Sequence, residues 1–214
     1  MEKQQNGFVK GAFVLSLGGM AAKILGAVYR IPLTNLLGSY CIGIYQLVFP
    51  MYTLLLTISS AGIPVAISKL VAENLSLGQR ENAVKVFRTA LLFLTLFGCL
   101  GSFMLFVAAG PLARLQGNPA AADGYRLLSP SILLVCVISA FRGYFQGKMN
   151  MAPTAVSQVL EQAVKMGLGI GLVRYALPDV FRGVAYAVAA VTVSELTAAT
   201  YLGVRYFLQR ERLR

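Results

Sequence analysis

Six charged side chains in this sequence sit where charge is expensive. Lys23, Arg30, Arg142, Glu161, Lys165 and Glu195 all fall within or at the ends of long apolar runs. Lys23 and Arg30 are seven residues apart, just under two helical turns, so on one helix they share a face about 10 Å apart along the axis. Ser16 falls on the same stripe, and Gly19 and Gly26 beside it allow another helix or a cargo to approach closely. Two cations in register suit an anion such as a phosphate or diphosphate. The competing reading pairs Lys23 with a buried carboxylate and lets Arg30 extend to the outer surface.

Glu161 and Lys165 stand at i and i+4 in the favourable order and can pair within one helix, with Gln158 and Gln162 as polar neighbours. Alternatively they form a polar cavity wall, with Lys165 adding to the cations of the first helix. Glu195 lies among Thr192, Ser194 and Thr197 and requires a partner, for which Lys165 or Lys23 would serve; a coupling-ion or proton site is the alternative. Arg142 is less deep. The five deep charges are three positive and two negative, which favours an anionic headgroup over a cationic drug. Covalent chemistry is not expected. The chain has no His, and no nucleophile elbow, phosphate loop or metal-ligand spacing is present, so neither an enzyme nor a bound cofactor or metal is predicted. Cys41, Cys99 and Cys136 are isolated; two of them lie in apolar helical runs, so they read as small core residues rather than a disulfide frame.

The elements that carry these residues must cross a membrane. Between Arg30 and Lys69 there are 38 residues without one charge. A bilayer core about 30 Å thick takes roughly 20 apolar residues per helix, so this run, interrupted by Pro32, Gly38 and Gly43, fits the end of one span, a turn and a second span. Hydrophobic residues make up 57% and charged residues 13%, against about 25% charge in an ordinary soluble domain. Mean hydropathy is +0.69. The expected fold is all-α and polytopic, a single membrane domain over 1–214. Its six helices run roughly over 8–36, 42–70, 87–111, 127–147, 153–175 and 183–208. The polar link at 71–86 is expected to be cytoplasmic and to hold a short amphipathic helix. The first apolar segment contains Lys23 and Arg30 and reads as a retained helix rather than a cleaved signal.

The net charge of +11 follows from topology rather than from nucleic-acid binding. With the N-terminus inside, the cytoplasmic segments hold Lys3, Lys10, Lys69, Arg80, Lys85, Arg88, Arg142, Lys148, Arg205, Arg210, Arg212 and Arg214. The outer links hold only Arg114, Arg126, Arg174 and Arg182. By the positive-inside rule both termini are cytoplasmic. The basic tail is that topology signal, with anionic lipid binding as the lesser reading. Pro50, Gly62 and Pro64 are expected to bend or loosen the second helix, as moving transporters require, or else to serve static packing.

Three stretches resemble a known family. Ala22-Lys23-Ile24-Leu25-Gly26-Ala27-Val28-Tyr29-Arg30 looks like the first-helix motif of the multidrug/oligosaccharidyl-lipid/polysaccharide (MOP) flippase superfamily. Ala61-Gly62-Ile63-Pro64, continued to Glu73, resembles the end of its second helix. Phe141-Arg142-Gly143-Tyr144-Phe145-Gln146-Gly147, with Pro153-Thr154-Ala155 and Ser157 through Gln162, resembles its fourth-to-fifth helix junction. Together they are most similar to the stage V sporulation protein B branch of polysaccharide-biosynthesis membrane proteins, related to the lipid II flippases.

The resemblance implies two six-helix lobes and additional helices, set in a V around a central cavity in a bacterial plasma membrane. It implies movement of undecaprenyl-diphosphate-linked sugars, lipid II among them, for cell-wall, polysaccharide or spore-cortex synthesis. Basic cavity residues in helix 1 are required in the lipid II flippases. Lys23 occupies the first such position, conservatively replaced, and Arg30 stands one place past the second. Glu161 and Arg142 match the sporulation-branch pattern. Six helices correspond to the amino-terminal lobe alone, so a second lobe or a homodimer is the expected partner, alongside the lipid bilayer and an anionic lipid-linked cargo. A cation or drug antiporter of the same superfamily and a non-transporting membrane scaffold are the alternatives.

Overall fold

The computed structural model describes residues 2–60, 62–177 and 179–211. Arg212 and Arg214 of the basic tail, and Ala61 of the second motif, lie outside the described residues. Six helices follow one another: α1 (Glu2–Ser60), α2 (Ile63–Ser76), α3 (Arg80–Leu115), α4 (Ala121–Gly147), α5 (Ala152–Ala176) and α6 (Val180–Glu211). No strand occurs among the described residues.

Among the described residues, four stretches are long and apolar enough to cross a membrane: Lys10–Leu54, Arg80–Leu115, Ala121–Gly147 and Phe181–Gln209. The first, at 45 residues, would be about 68 Å long if straight, roughly twice a bilayer core. It turns at Gly38, whose φ of 72° and ψ of 171° are non-helical. α1 therefore has two arms that cross the membrane in opposite senses. Only glycine adopts that φ without a Cβ penalty. α5 has the length to span but carries Glu161, Lys165 and Arg174, and it packs between α1 and α6.

The expected second span, 42–70, does not run through. The helix stops at Ser60 and α2 starts at Ile63, with Gly62 at φ 81° as its cap. The cause is local: a left-handed glycine followed two residues on by Pro64, which lacks an N–H and fits the first turn of a new helix. In consequence the expected link at 71–86 is almost all helix. α2 reaches Ser76, α3 begins at Arg80 rather than Val86 or Phe87, and the turn between them is Leu77–Gln79. The α3 helix extends to Leu115, well past the expected end at 111. α1 continues through Pro32 and Pro50.

The bundle has two ends with separate cores. At one end α2 lies against the last turns of α4 and the start of α3, around Ile67, Val71, Phe87, Phe141, Tyr144, Phe145 and Tyr206. Phe87, Phe141, Tyr144 and Tyr206 stack with ring centroids 4.6–5.9 Å apart, offset or tilted as the ring quadrupoles prefer. At the other end the bend of α1 meets α3, α4 and α6 around Leu33, Leu37, Val48, Leu105, Tyr125 and Val188. The Tyr125 hydroxyl bonds to the Leu47 carbonyl at 3.0 Å and to Gln116 at 2.8 Å, holding α4 to the second arm of α1. The outward face of α3 is apolar and exposed at Leu92, Phe93, Leu96, Phe97, Leu100 and Phe103, as a lipid-facing surface requires. Of the two cysteines in the expected apolar helices, Cys136 is buried as a core residue, whereas Cys99 is exposed on α3; Cys41 is also buried.

Small residues set the closest approaches. A Cβ on Gly143 would lie 2.8 Å from the Pro64 carbonyl and 2.9 Å from Ile67 Cβ. Membrane helices pack by such contacts rather than by expelling water. Gly143→Ala is expected to destabilise the protein by about 1–3 kcal/mol through overpacking. Gly43→Ala, where a Cβ meets nothing within 4 Å, is expected to leave stability unchanged. Thermal unfolding of the two variants in one detergent checks the contrast.

Candidate functional site

The first arm of α1 lies along α5 with glycines at the seam. A Cβ on Gly18 would fall 2.6 Å from that of Ala155, and one on Gly26 would fall 3.2 Å from Gln162 Oε1. Near the Gly38 end, Gly169 of α5 is covered by the Tyr29 ring, which leaves no room for a Cβ. This seam leaves the Lys23–Arg30 stripe beside the polar face of α5.

Two recesses open along it and meet at Gly26. The smaller, about 380 Å³, is lined by Gly19, Ala22, Lys23, Arg142, Gln158, Glu161 and Gln162. The larger, about 570 Å³, is lined by Tyr29, Arg30, Leu33, Lys165 and, from the second arm of α1, Tyr45, Gln46, Phe49, Pro50 and Thr53. The structure thus brings five of the six sequence-predicted charges to one continuous surface. Lys23 and Arg30 are both exposed there.

The pairing differs from expectation. Glu161 does not bond to Lys165 within α5. Its Oε2 instead accepts a hydrogen bond from Arg142 of α4 at 3.0 Å, an ion pair about one-fifth exposed on each side. A second guanidinium bond fixes Arg142: its Nε–H donates to Ser157 Oγ at 3.1 Å, while Ser157, fully buried, donates to the Thr154 carbonyl at 2.7 Å. A cross-helix guanidinium with two oriented acceptors outcompetes a flexible ammonium one turn away, because its planar fork loses less freedom on binding. Lys165 is left facing the larger recess. Lys23, Arg30 and Lys165 form no ion pair among the described residues; the other two pairs found, Arg126–Asp123 and Arg182–Asp179, lie at helix starts.

Glu195 is not at the recess. It is 3% exposed, and its partner is the Tyr52 hydroxyl, which donates to Oε1 at 2.5 Å, rather than Lys165 or Lys23. Nearby, Ser131 and Thr192 bond at 2.9 Å, tying α4 to α6. The residues that sequence reasoning did not single out are the aromatics Tyr29, Tyr45 and Phe49 that wall the larger recess, Ser157 as the anchor of Arg142, and Tyr52. Tyrosines recurring within apolar helices were the available signal, since a phenol in hydrocarbon needs a partner or a wet surface.

The recess lining therefore carries four cations, Lys23, Arg30, Arg142 and Lys165, against one carboxylate, Glu161. The helical bundle that holds this cleft is similar in fold to solved membrane transporters. A MATE transporter in its straight conformation superposes with a TM-score of 0.84 at 19% identity, over 95% of this chain and 45% of that one. A MOP superfamily transporter from Pyrococcus furiosus, described by the reverse polarity of its binding pocket, gives 0.77 at 20% identity, over 94% and 45%. These superpositions establish the fold: a multi-pass, MATE-like membrane protein.

The model of polysaccharide biosynthesis proteins matches residues 8–214, and the chain belongs to that family. Among curated relatives in Bacillus subtilis it is 36% identical over 202 residues to the uncharacterized membrane protein YabM, covering 92% of this chain and 37% of the relative. It is 35% identical over 203 residues to stage V sporulation protein B, covering 91% and 38%. It is 34% identical over 167 residues to the lipid II flippase MurJ, covering 74% and 31%. The chain spans well under half the length of these relatives.

The cross-helix pair yields a stability prediction. Arg142→Ala leaves Glu161 and Ser157 without their donor and is expected to cost about 1.5–3 kcal/mol, the range for hydrogen bonds to charged groups. Lys23→Ala, at an exposed position without an ion pair, is expected to change stability by less than about 0.5 kcal/mol. Detergent melting curves measure both, and equal losses would count against the ranking.

Proposed function

We propose that this chain is the amino-terminal lobe of a plasma-membrane flippase for lipid-linked oligosaccharides carried on undecaprenyl diphosphate, of the lipid II type, serving cell-wall, polysaccharide or spore-cortex synthesis. The observation that carries the proposal is the recess lining, four cations to one carboxylate, with Lys23 and Arg30 in no ion pair among the described residues and Lys165 bonded to neither Glu161 nor Glu195, though it feels the charge of both. A diphosphate supplies the missing negative charge. Lys23 and Arg30 stand about 10 Å apart along their helix, so an extended diphosphate-sugar headgroup meets one cation and then the other as it moves from the smaller recess into the larger. Arg142 and Glu161, locked together, form the wall between α4 and α5. The aromatic lining of the larger recess suits sugar faces. The lipid tail stays in the bilayer throughout, and a second lobe or a second copy of the chain closes the cleft while alternating access carries the headgroup across.

The bundle's ends support an orientation with both termini cytoplasmic. Gly11 packs on Met151, Lys148 lies near Arg80, and α2 packs on Gly143 and Gly147, so the basic segments cluster at one end. The MATE likeness keeps a cation or drug antiporter in view, but that reading calls for an acidic recess, and Glu195 lies behind the wall. A scaffold without transport leaves the uncommitted cations unexplained. Among the described residues no cluster of metal-ligating side chains supports an enzymatic reading.

The chain reconstituted in lipid nanodiscs is expected to bind undecaprenyl diphosphate in preference to undecaprenol. Lys23→Ala and Arg30→Ala are each expected to weaken that binding about tenfold, the loss of about 1.4 kcal/mol. Equal binding of the alcohol and the diphosphate would sink the anion reading. In cells depleted of their lipid II flippase, rescue by the lobe together with its second half, and its loss in Lys23→Ala, is the expected functional counterpart. A cysteine at the N-terminus is expected to react with impermeant maleimide only from the cytoplasmic side.

A further inference from the structure

The break at Gly62 has a structural product that the recess does not use. It sets α2 beside the first turns of α3 and leaves a groove of about 560 Å³ between them, on the face of α2 that adjoins its contact with α4 and shares Ile67 with it. The groove is graded. Asn74, Asn82 and Lys85 line its polar end, near the α2–α3 turn; Leu70, Ala90 and Phe93 line its apolar end. From Asn82 to Phe93 is about 16 Å along a helix, half of a 30 Å bilayer core and so the depth of one leaflet. Phe87 packs on Phe141 and Tyr144, a turn or so from the end of α4 at Gly147. The polar end of the groove therefore lies at the membrane–water boundary and the apolar end within the hydrocarbon. Leu70 and Phe93 are 47% and 57% exposed.

Charge at this boundary is one-sided. The helix ends that meet here, α2, the start of α3 and the end of α4, carry Lys69, Arg80, Lys85, Arg88 and Lys148 against Glu73 and Glu81, and Lys85 forms no ion pair among the described residues. Burial and the neighbouring Arg80 guanidinium push the Lys148 ammonium below the usual lysine range. Burial is the larger cause, and the Arg80 charge adds to it. Asn74 and Asn82 each commit one amide hydrogen, to the Leu70 carbonyl and to Gln79 Oε1, which leaves each a second hydrogen for an acceptor.

We propose that the α2–α3 groove is a binding site for an anionic membrane phospholipid, with its phosphodiester held by Lys85, Asn82 and Asn74 and an acyl chain laid along Leu70, Ala90 and Phe93. A water-soluble phosphate does not account for the apolar end, and a neutral lipid does not account for the cations. The site is separate from the recess, and its test does not depend on cargo binding.

The test is native mass spectrometry of the chain released from nanodiscs of mixed phosphatidylglycerol and phosphatidylcholine. Phosphatidylglycerol is expected to be retained about fivefold over phosphatidylcholine, the effect of roughly one cation at a membrane surface. Lys85→Glu is expected to erase the preference, and Lys85→Gln to reduce it. Ala90→Phe, which fills the groove, is expected to lower retention of both lipids. Equal retention of the two lipids by the unaltered chain overturns the proposal, as does a Lys85→Glu variant that keeps the preference. Retention unaffected by Ala90→Phe places the lipid elsewhere and overturns it as well.

Discussion

The cost of leaving charge against hydrocarbon governs this structure. At the bilayer centre a charged side chain costs about 2.5–3.5 kcal/mol on insertion scales, so each must find a partner or a wet surface. Arg142 and Glu161 meet that demand by pairing across two helices, with Ser157 as a second acceptor. Glu195 meets part of it through the Tyr52 hydroxyl, deep between α1 and α6. Lys23, Arg30 and Lys165 meet it by lining an open cleft. The same constraint that makes these cations costly makes the cleft polar and leaves it ready for an anion.

The backbone obeys a parallel constraint. Within a membrane every peptide group must be satisfied internally, so departures from helix are confined to a few glycines. Gly38 reverses the chain between two crossings with a single non-helical residue. Gly62, ahead of Pro64, ends one helix and starts another near the membrane boundary. The first break places Arg30 and the second arm's Tyr45, Phe49 and Thr53 around one recess. The second turns α2 onto the end of α4 and opens the groove beside α3. Glycines at helix seams do the remaining work, allowing α1 onto α5 at Gly18 and α4 onto α2 at Gly143.

These two constraints give the lobe distinct surfaces. The cleft side is cationic and aromatic, as an anionic lipid-linked sugar would require. The outward face of α3 is a continuous apolar band. The end that carries Lys85, Arg80 and Lys148 is basic and borders the polar end of a lipid-sized groove. The proposed flippase lobe would use all three: a face for cargo, a face for lipid and an edge that fixes its depth in the membrane.

The sequence by itself determined that the chain is helical and membrane-embedded, which family it resembles, and that Lys23 and Arg30 share a face. Each of these follows from apolar run length, from a motif, or from the fixed period of one helix. It also placed strain at Gly62 and Pro64, because a missing N–H and a missing Cβ are local properties. Only the tertiary structure decided who pairs with whom. Glu161 takes Arg142 rather than Lys165, and Glu195 takes Tyr52 rather than a lysine, because partner choice depends on which helices lie side by side and on how rigidly each donor is held. The helix limits around residues 60–86 were likewise beyond local pattern. A polar surface segment and the extended ends of two packed helices read alike in sequence, and only the packing of α2 and α3 around Phe87 and Tyr144 separates them.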